Sequence, residues 1–301
     1  MRVDLLQYIP PVGSSALAEG LWVPVIKADS PPPVSAGPTS LRIASLNVWF
    51  DRYQCETRWN RSLETLAALE PDVICLQECT LELTELCVKS SQAIQDHYLI
   101  TDLTTFDGCW YGLMVLVRKK STVAVRSAES LKFHAGRLSR GLLIGHLEVG
   151  GMAVSIATSH LESYPQDLPF RLQQLEQATQ ALADSSSALT ILCGDFNIPK
   201  ATNEEESLFI HRLGWTDAYT SFHQLSLSDD GGLTFGDWTP KSCSQWPGAR
   251  LDRVVYRTGD GVGAAVKSYA LFGSEPIQGD GEAFFASDHL GIVVDMECRS
   301  E

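Results

Sequence analysis

The stretch Gly194-Asp195-Phe196-Asn197 sets a carboxylate and a carboxamide two positions apart, directly after the apolar run 188–193. On an extended chain both side chains point to the same side. Asp195 and Asn197 can therefore hold a water and a phosphate oxygen together, although the same residue types also make an ordinary strand-to-turn junction. Leu76-Gln77-Glu78 ends another apolar run, where an unpaired buried carboxylate would be costly, so Glu78 either caps the next helix or faces a cation. Asn47, closing Ser45-Leu46-Asn47, starts a turn or offers an amide oxygen to a hard metal. Glu78 and Asn47 together supply oxygen ligands of the kind Mg²⁺ prefers, a few protein groups and several waters. No His or Cys spacing suits zinc. His289, in Ser287-Asp288-His289, can stabilise developing negative charge or give a proton if Asp252 or Asp288 holds its other ring nitrogen. His160, in Ser159-His160-Leu161-Glu162-Ser163, is a second candidate of that kind. A lone histidine serves a structural role equally well.

The elements that must position these groups can be read from periodicity. Residues 41–48 and 72–77 read as strands separated by a helix near 56–69, in which Trp59, Leu63 and Leu66 recur at helical spacing. A second helix is expected over 81–94. Runs at 98–101, 110–117, 123–131, 141–149 and 152–158 follow in close succession, which predicts antiparallel pairing. Leu168, Leu172, Leu175 and Leu182 mark one face of a helix at 168–183. A strand at 188–193, a loop-rich region to Gly248, and strands near 251–257, 266–271 and 291–296 complete the chain. Each chemical candidate falls at the end or start of an expected strand. Two sheets packed face to face, with helices on their outer sides, would gather them at one edge.

Composition limits the function. The chain has 301 residues, 44% of them hydrophobic and 20% charged, enough to build a sizeable core. A net charge of -14 opposes a broad, nonspecific nucleic-acid footprint. Cys75 and Cys193 sit in buried-strand runs and no Cys-x-x-Cys pair occurs, so reduced thiols in a nuclear or cytoplasmic protein are expected. Neither a signal peptide nor a membrane-spanning run is read, so no membrane partner is expected, and a monomer is the expected state. Residues 1–40, punctuated by prolines, are expected to form a loosely ordered arm ahead of a domain at 41–301.

In order, Asn47, Leu-Gln-Glu78, Ser-His160-Leu-Glu-Ser163, Gly-Asp195-Phe-Asn197, Leu-Asp252-Arg and Ser-Asp288-His289 resemble the motif series of the endonuclease/exonuclease/phosphatase superfamily. Within it the nearest resemblance is to the tyrosyl-DNA phosphodiesterase 2 family, carried by residues 71–78, 158–163 and 285–289. The resemblance implies an α/β (α+β) four-layer α/β/β/α sandwich of two mainly antiparallel sheets and the use of Mg²⁺ or Mn²⁺. It also implies hydrolysis of a 5′-phosphotyrosyl bond at a DNA end of short single-stranded character. In that scheme Asp195 activates water, Asn197 positions it, Glu78 and Asn47 hold the metal and Asp288 supports it. His289, oriented by Asp252, and His160 face the phosphate, and Ser163 touches it. Phe235 would be the aromatic lining the DNA groove, or else plain core. Two positions depart from the family pattern: Leu46 stands where it has Trp, and Ile198-Pro199-Lys200 where it has Arg. Other phosphoesters (abasic DNA, an RNA end, a phospholipid, an inositol phosphate) are alternative substrates on the same fold. A catalytically dead binding protein would show substitutions at the chemical positions, and none is seen.

Overall fold

The apolar runs become the central strands of two sheets. A computed structural model describes residues 1–10, 21–25, 39–120, 122–183, 187–199, 203–226, 231–236, 248–279 and 282–300. One sheet has seven strands, in the order Arg2–Val3, Val123–Lys132, Gly141–Val149, Met152–His160, Leu189–Asp195, Asp252–Thr258 and Thr216–Asp217. The other has eight: Val262–Phe272, Gly291–Ser300, Thr39–Asn47, Val73–Thr80, Tyr111–Arg118, Tyr98–Thr101, Leu5–Ile9 and Leu21–Pro24. Pairing is antiparallel except within one pair in each sheet, Thr39–Asn47 with Val73–Thr80 and Met152–His160 with Leu189–Asp195.

Those parallel pairs decide where the site forms. Parallel neighbours need a crossover, supplied by the helices Cys55–Leu69 and Leu168–Ala183. A crossover brings the C-terminal ends of both strands to the same edge. Ile43, Cys75, Val115, Ile156, Ile191, Val254 and Val294 fill the space between the sheets. Trp59, Leu63 and Leu66 cover the outer face of one sheet, and Leu175, Ala178 and Leu182 that of the other. The layers are thus helix, sheet, sheet, helix, as expected.

Three expectations need correction. In the described part of the arm, Arg2–Val3 and Leu21–Pro24 are edge strands and Leu5–Ile9 lies just inside the latter, because Leu5 and Leu6 pair with Thr101 and Ile100 and place Leu6 in the core. The prolines at 11, 31–33 and 38 lie outside the described residues. The helix expected over 81–94 is broken into Leu81–Leu83, a π-turn at Thr84–Val88, and Gln92–His97. Ser90 and Ser91 divide it, since serine side chains compete for backbone hydrogen bonds, and Ser90 donates to the Leu86 carbonyl. The loop-rich region contains the helices Asn203–Arg212 and Ala218–His223; the rest of it falls partly outside the described residues.

A buried ion cluster anchors the strand that carries Asp252. Asp217 Oδ2 accepts from Arg250 Nη1 (2.7 Å) and Arg253 Nη1 (2.8 Å). Burial alone would push the Asp217 carboxyl up, but the two guanidinium groups outweigh it and hold it below the usual range. The stabilisation is therefore present above the ordinary carboxylate pKa and lost as pH falls through the lowered one. Asp217→Ala removes the carboxylate shared by two buried cations and should lower unfolding free energy by about 3–5 kcal/mol in urea titration. A loss within 1 kcal/mol (about the limit for surface pairs) would remove this role.

Candidate active site

The register of the seven-stranded sheet sets three chemical residues side by side. His160 pairs with Asp195 across the parallel strands, and Asp195 pairs with Asp252 across the next. This approach requires Gly194, at φ 128°, because any Cβ there would collide with the Ser159 carbonyl oxygen. Asn47 and Glu78 come from the corresponding edge of the other sheet. Glu78 lies in a bulge, where the register with the 111–118 strand shifts between Leu76 and Cys79, and its φ is 58°. A bulge re-aims one side chain out of the alternation. Trp49 (φ 56°) and Asn197 (φ 51°) are likewise left-handed. Such backbone costs of order 1–3 kcal/mol per residue and persists where the surroundings over-determine it.

Asp195 is the hub. Its Oδ1 accepts the Asn197 N–H (2.9 Å) and its Oδ2 accepts from Asn47 Nδ2 (3.0 Å). His160 Nε2 lies 3.4 Å and His289 Nε2 3.7 Å from the same Oδ2. Burial pushes the Asp195 carboxyl up to about 6. It is thus a stronger base than an exposed aspartate, yet still mostly ionised at neutral pH.

The two histidines differ in charge. His289 Nδ1 is 2.7 Å from Asp252 Oδ2. Burial alone would strip the His289 proton, but Asp252, Asp195 and Asp288 outweigh it and keep the ring protonated well above its ordinary range. Asp288 Oδ1 stands 4.0 Å from Nε2, which makes Asp252 the orienting partner. Ser287 Oγ donates to the Asn47 carbonyl (2.6 Å) and accepts the His289 N–H (3.1 Å), tying this turn to the opposite sheet. His160 is held far below its ordinary range by burial, Arg140 and His289. It is a neutral imidazole.

Arg140 and Tyr111 belong to the site and were not found from sequence. The Arg140 guanidinium approaches both His160 ring nitrogens at 3.2 Å, donates to Ser163 Oγ (2.9 Å) and to the Tyr111 hydroxyl (3.2 Å), and lies 5.5 Å over the Tyr111 ring. The available signal was an arginine opening an apolar strand, the same position that other site residues occupy. Ser163 also lies 3.5 Å from Asn197 Nδ2, whose nearer acceptor is the Leu161 carbonyl at 3.1 Å. Asn197 therefore touches Asp195 through its backbone while its side chain braces the 161–163 turn.

Of the two expectations for Phe235, groove aromatic or plain core, its burial fits the second. It is 8% exposed, bridges to Ala249, and packs its ring 5.3 Å from that of His289. Buttressing the imidazole leaves it little open face for a base. Trp110, by contrast, is exposed, at 57%, and lies edge-on to Phe50, which stacks on Tyr111 at 4.8 Å.

Glu78 is the residue best suited to a cation. Its Oε2 accepts the Phe50 N–H (3.0 Å), while Oε1 has His160 Nδ1 3.8 Å away. Burial raises its pKa, the state of a carboxylate short of positive charge. Asn47 Oδ1 already accepts the Trp49 N–H (3.0 Å), which leaves its second lone pair for a metal. This oxygen set fits a hard divalent cation, and Asp288 stands on the neighbouring turn that Ser287 ties to the Asn47 carbonyl. Asp195, Asp252 and His289 also offer ligand atoms within 4.8 Å of one another. There the protonated imidazole already supplies the positive charge between the two carboxylates.

Comparison with known proteins bears on the family and the fold. Residues 44–289 match the Endonuclease/Exonuclease/phosphatase family. Tyrosyl-DNA phosphodiesterase 2 of Xenopus laevis is 31% identical over 236 residues, which are 77% of this chain and 59% of that protein. The chain thus spans about three fifths of that relative's length. A crystal structure of D. rerio TDP2 complexed with single strand DNA product superposes at a TM-score of 0.70 and 25% identity, covering 85% of this chain and 98% of that one. A mannosyl-6-phosphatase of Bacteroides thetaiotaomicron shares the fold at a TM-score of 0.65 and 17% identity, covering 85% of this chain and 99% of that one.

Proposed function

The chain belongs to the Endonuclease/Exonuclease/phosphatase family, and on that premise we propose that it hydrolyses a phosphodiester, its substrate being a 5′-phosphotyrosyl DNA end. The reaction class rests on one observation above the others. A buried carboxylate of raised pKa is held between amide donors and faced by a protonated imidazole that a second carboxylate orients. The substrate is supported by the resemblance to the X. laevis protein and to the DNA-bound D. rerio structure.

Asp195 takes a proton from the attacking water, with its carboxylate fixed by the Asn197 N–H and the Asn47 side chain. His289, cationic and locked by Asp252, donates to a phosphate oxygen as charge develops. His160 is neutral and pressed against Arg140, so it orients Asp195 and Arg140 and itself brings no charge to the phosphate. Arg140 is the second cation at the site, bonded to Ser163 and lying over Tyr111, where an aromatic leaving group would meet it. Mg²⁺, with Mn²⁺ able to substitute, would be held by Glu78 with Asn47 and Asp288 beside it, and would neutralise charge on the phosphate and leaving oxygens. A tyrosyl group, with a pKa of about 10, departs without strong acid assistance. Such an activity belongs to DNA repair in the nucleus or cytoplasm. The free thiols of Cys75 and Cys193 support a reducing compartment.

The test is a panel of 5′-tyrosyl oligonucleotide, abasic DNA, sphingomyelin and an inositol polyphosphate. The tyrosyl end should be turned over fastest. Faster cleavage of any other member overturns the substrate, and inactivity on all of them overturns the reaction class.

A further inference from the structure

Glu162, Asp167 and Glu206 are fully buried carboxylates that the mechanism does not use, and Glu162 adjoins the site in sequence, between Leu161 and Ser163. We propose that Glu162 is a positioning residue for Arg140, its carboxylate shaping the connection that delivers the guanidinium to Tyr111, Ser163 and His160. This inference rests on the reading of Arg140 given above.

Arg140 ends the connection between the strands Val123–Lys132 and Gly141–Val149, closed at its base by Phe133 N–H donating to the Arg140 carbonyl (3.0 Å). A connection of this length has many conformations of its own. Here one is imposed from beneath. Glu162 Oε1 accepts the N–H groups of Arg137 (2.7 Å) and Leu138 (2.9 Å). Gln174 Nε2 donates to the Ala135 carbonyl (2.8 Å), its Oε1 accepts the Glu162 N–H (3.1 Å), and Gln177 Oε1 accepts the His134 N–H (2.9 Å). Gly136, at φ 140°, lies so near this carboxylate that a Cβ would run into Glu162 Oε1 and stand 2.8 Å from Gln174 Nε2. The segment 134–138 is thus held at most of its residues by the buried side chains of Glu162 and Gln174 and by the partly exposed Gln177.

The same turn fixes the far end of the contact. Ser163, next in sequence to Glu162, accepts from Arg140 Nη2. Arg171 Nη1 in turn donates to the carbonyls of Glu162 (3.2 Å) and Tyr164 (2.6 Å). A shift of the carboxylate would therefore move Arg140 relative to its own partner, whereas a shift of the whole turn would not.

Tyrosine release from a 5′-tyrosyl oligonucleotide is measured for wild type, Arg140→Ala, Glu162→Ala and the double variant. Each single change should lower kcat/KM by ~10–10²-fold, and the double variant should be no worse than Arg140→Ala. Glu162→Gln keeps an oxygen for both N–H groups and should stay near wild type. A general structural role instead makes the losses multiply and gives no rescue by Gln, and either result overturns the inference. If Glu162→Ala does not fold, Gly136→Ala, which pushes the connection off an intact carboxylate, takes its place in the same cycle with the same two outcomes. A wild-type protein that releases no tyrosine overturns the substrate reading, and this inference with it. Active wild type with multiplying losses overturns this inference alone.

Discussion

Asp195→Asn should lower kcat by ~10²–10⁴-fold while the protein stays folded. That loss equals about 3–5 kcal/mol in the barrier. The substitution is nearly isosteric, and it removes the ability to take a proton from water together with one of the three carboxylate charges that keep His289 protonated. Stability should not suffer, because the wild-type carboxylate is buried beside Asp252 and its pKa is raised. A raised carboxyl pKa means that the ionised form opposes folding above that pKa, so a neutral amide should leave Tm unchanged or higher. The pH profile carries the sharper test. In the wild type kcat/KM should climb as pH rises through about 6, as Asp195 loses its proton, and that limb should disappear in the variant. Near wild-type kcat, or an unaltered limb, would falsify the assignment of Asp195 as the base.

Glu78→Gln is expected to have an effect of similar size, through the metal. Chelation should abolish turnover, and Mg²⁺ or Mn²⁺ should restore it in wild type only. Binding can be read without activity, since a ligand at 100 times its Kd adds about 2.7 kcal/mol of stability. Mg²⁺ should therefore raise the Tm of the wild type and leave that of Glu78→Gln in place. Without metal the variant should melt no earlier than wild type, because burial already disfavours the Glu78 charge. Full turnover after metal stripping, or an equal Mg²⁺-induced Tm shift in both proteins, would remove Glu78 as the ligand.

Much of this site was legible in the linear sequence because its residues stand at strand ends. Apolar runs predict buried strands, and a polar residue that closes such a run cannot be core. Asn47, Glu78, His160 and Asp195 satisfy that description, Asp252 opens the antiparallel strand that follows, and pairing brings them to one edge. The 168–183 helix was legible to the residue, because its apolar face repeats at 3.6 and its neighbours do not. Asn203–Arg212 carried its own start signal, Glu204, Glu205 and Glu206 in the first turn with His211 and Arg212 in the last, which the loop-rich reading passed over.

What the tertiary structure decided is how those groups divide the chemistry. The types of His160 and His289 are the same, and each sits beside a carboxylate in the chain or the fold. Only packing buries one against Arg140, leaving it neutral, and sets Asp252 against the other, outweighing burial and keeping it protonated. Arg140 and Tyr111 lie 20 and 49 positions before His160 and share no motif with it. The resemblance left Phe235 either at a DNA groove or in the core, and only its surroundings make it a buttress for His289. Sequence fixes which side chains exist and which end of an element they occupy, through local rules of period and propensity. Charge state and role depend on neighbours brought together from distant parts of the chain, and on how much water those neighbours exclude.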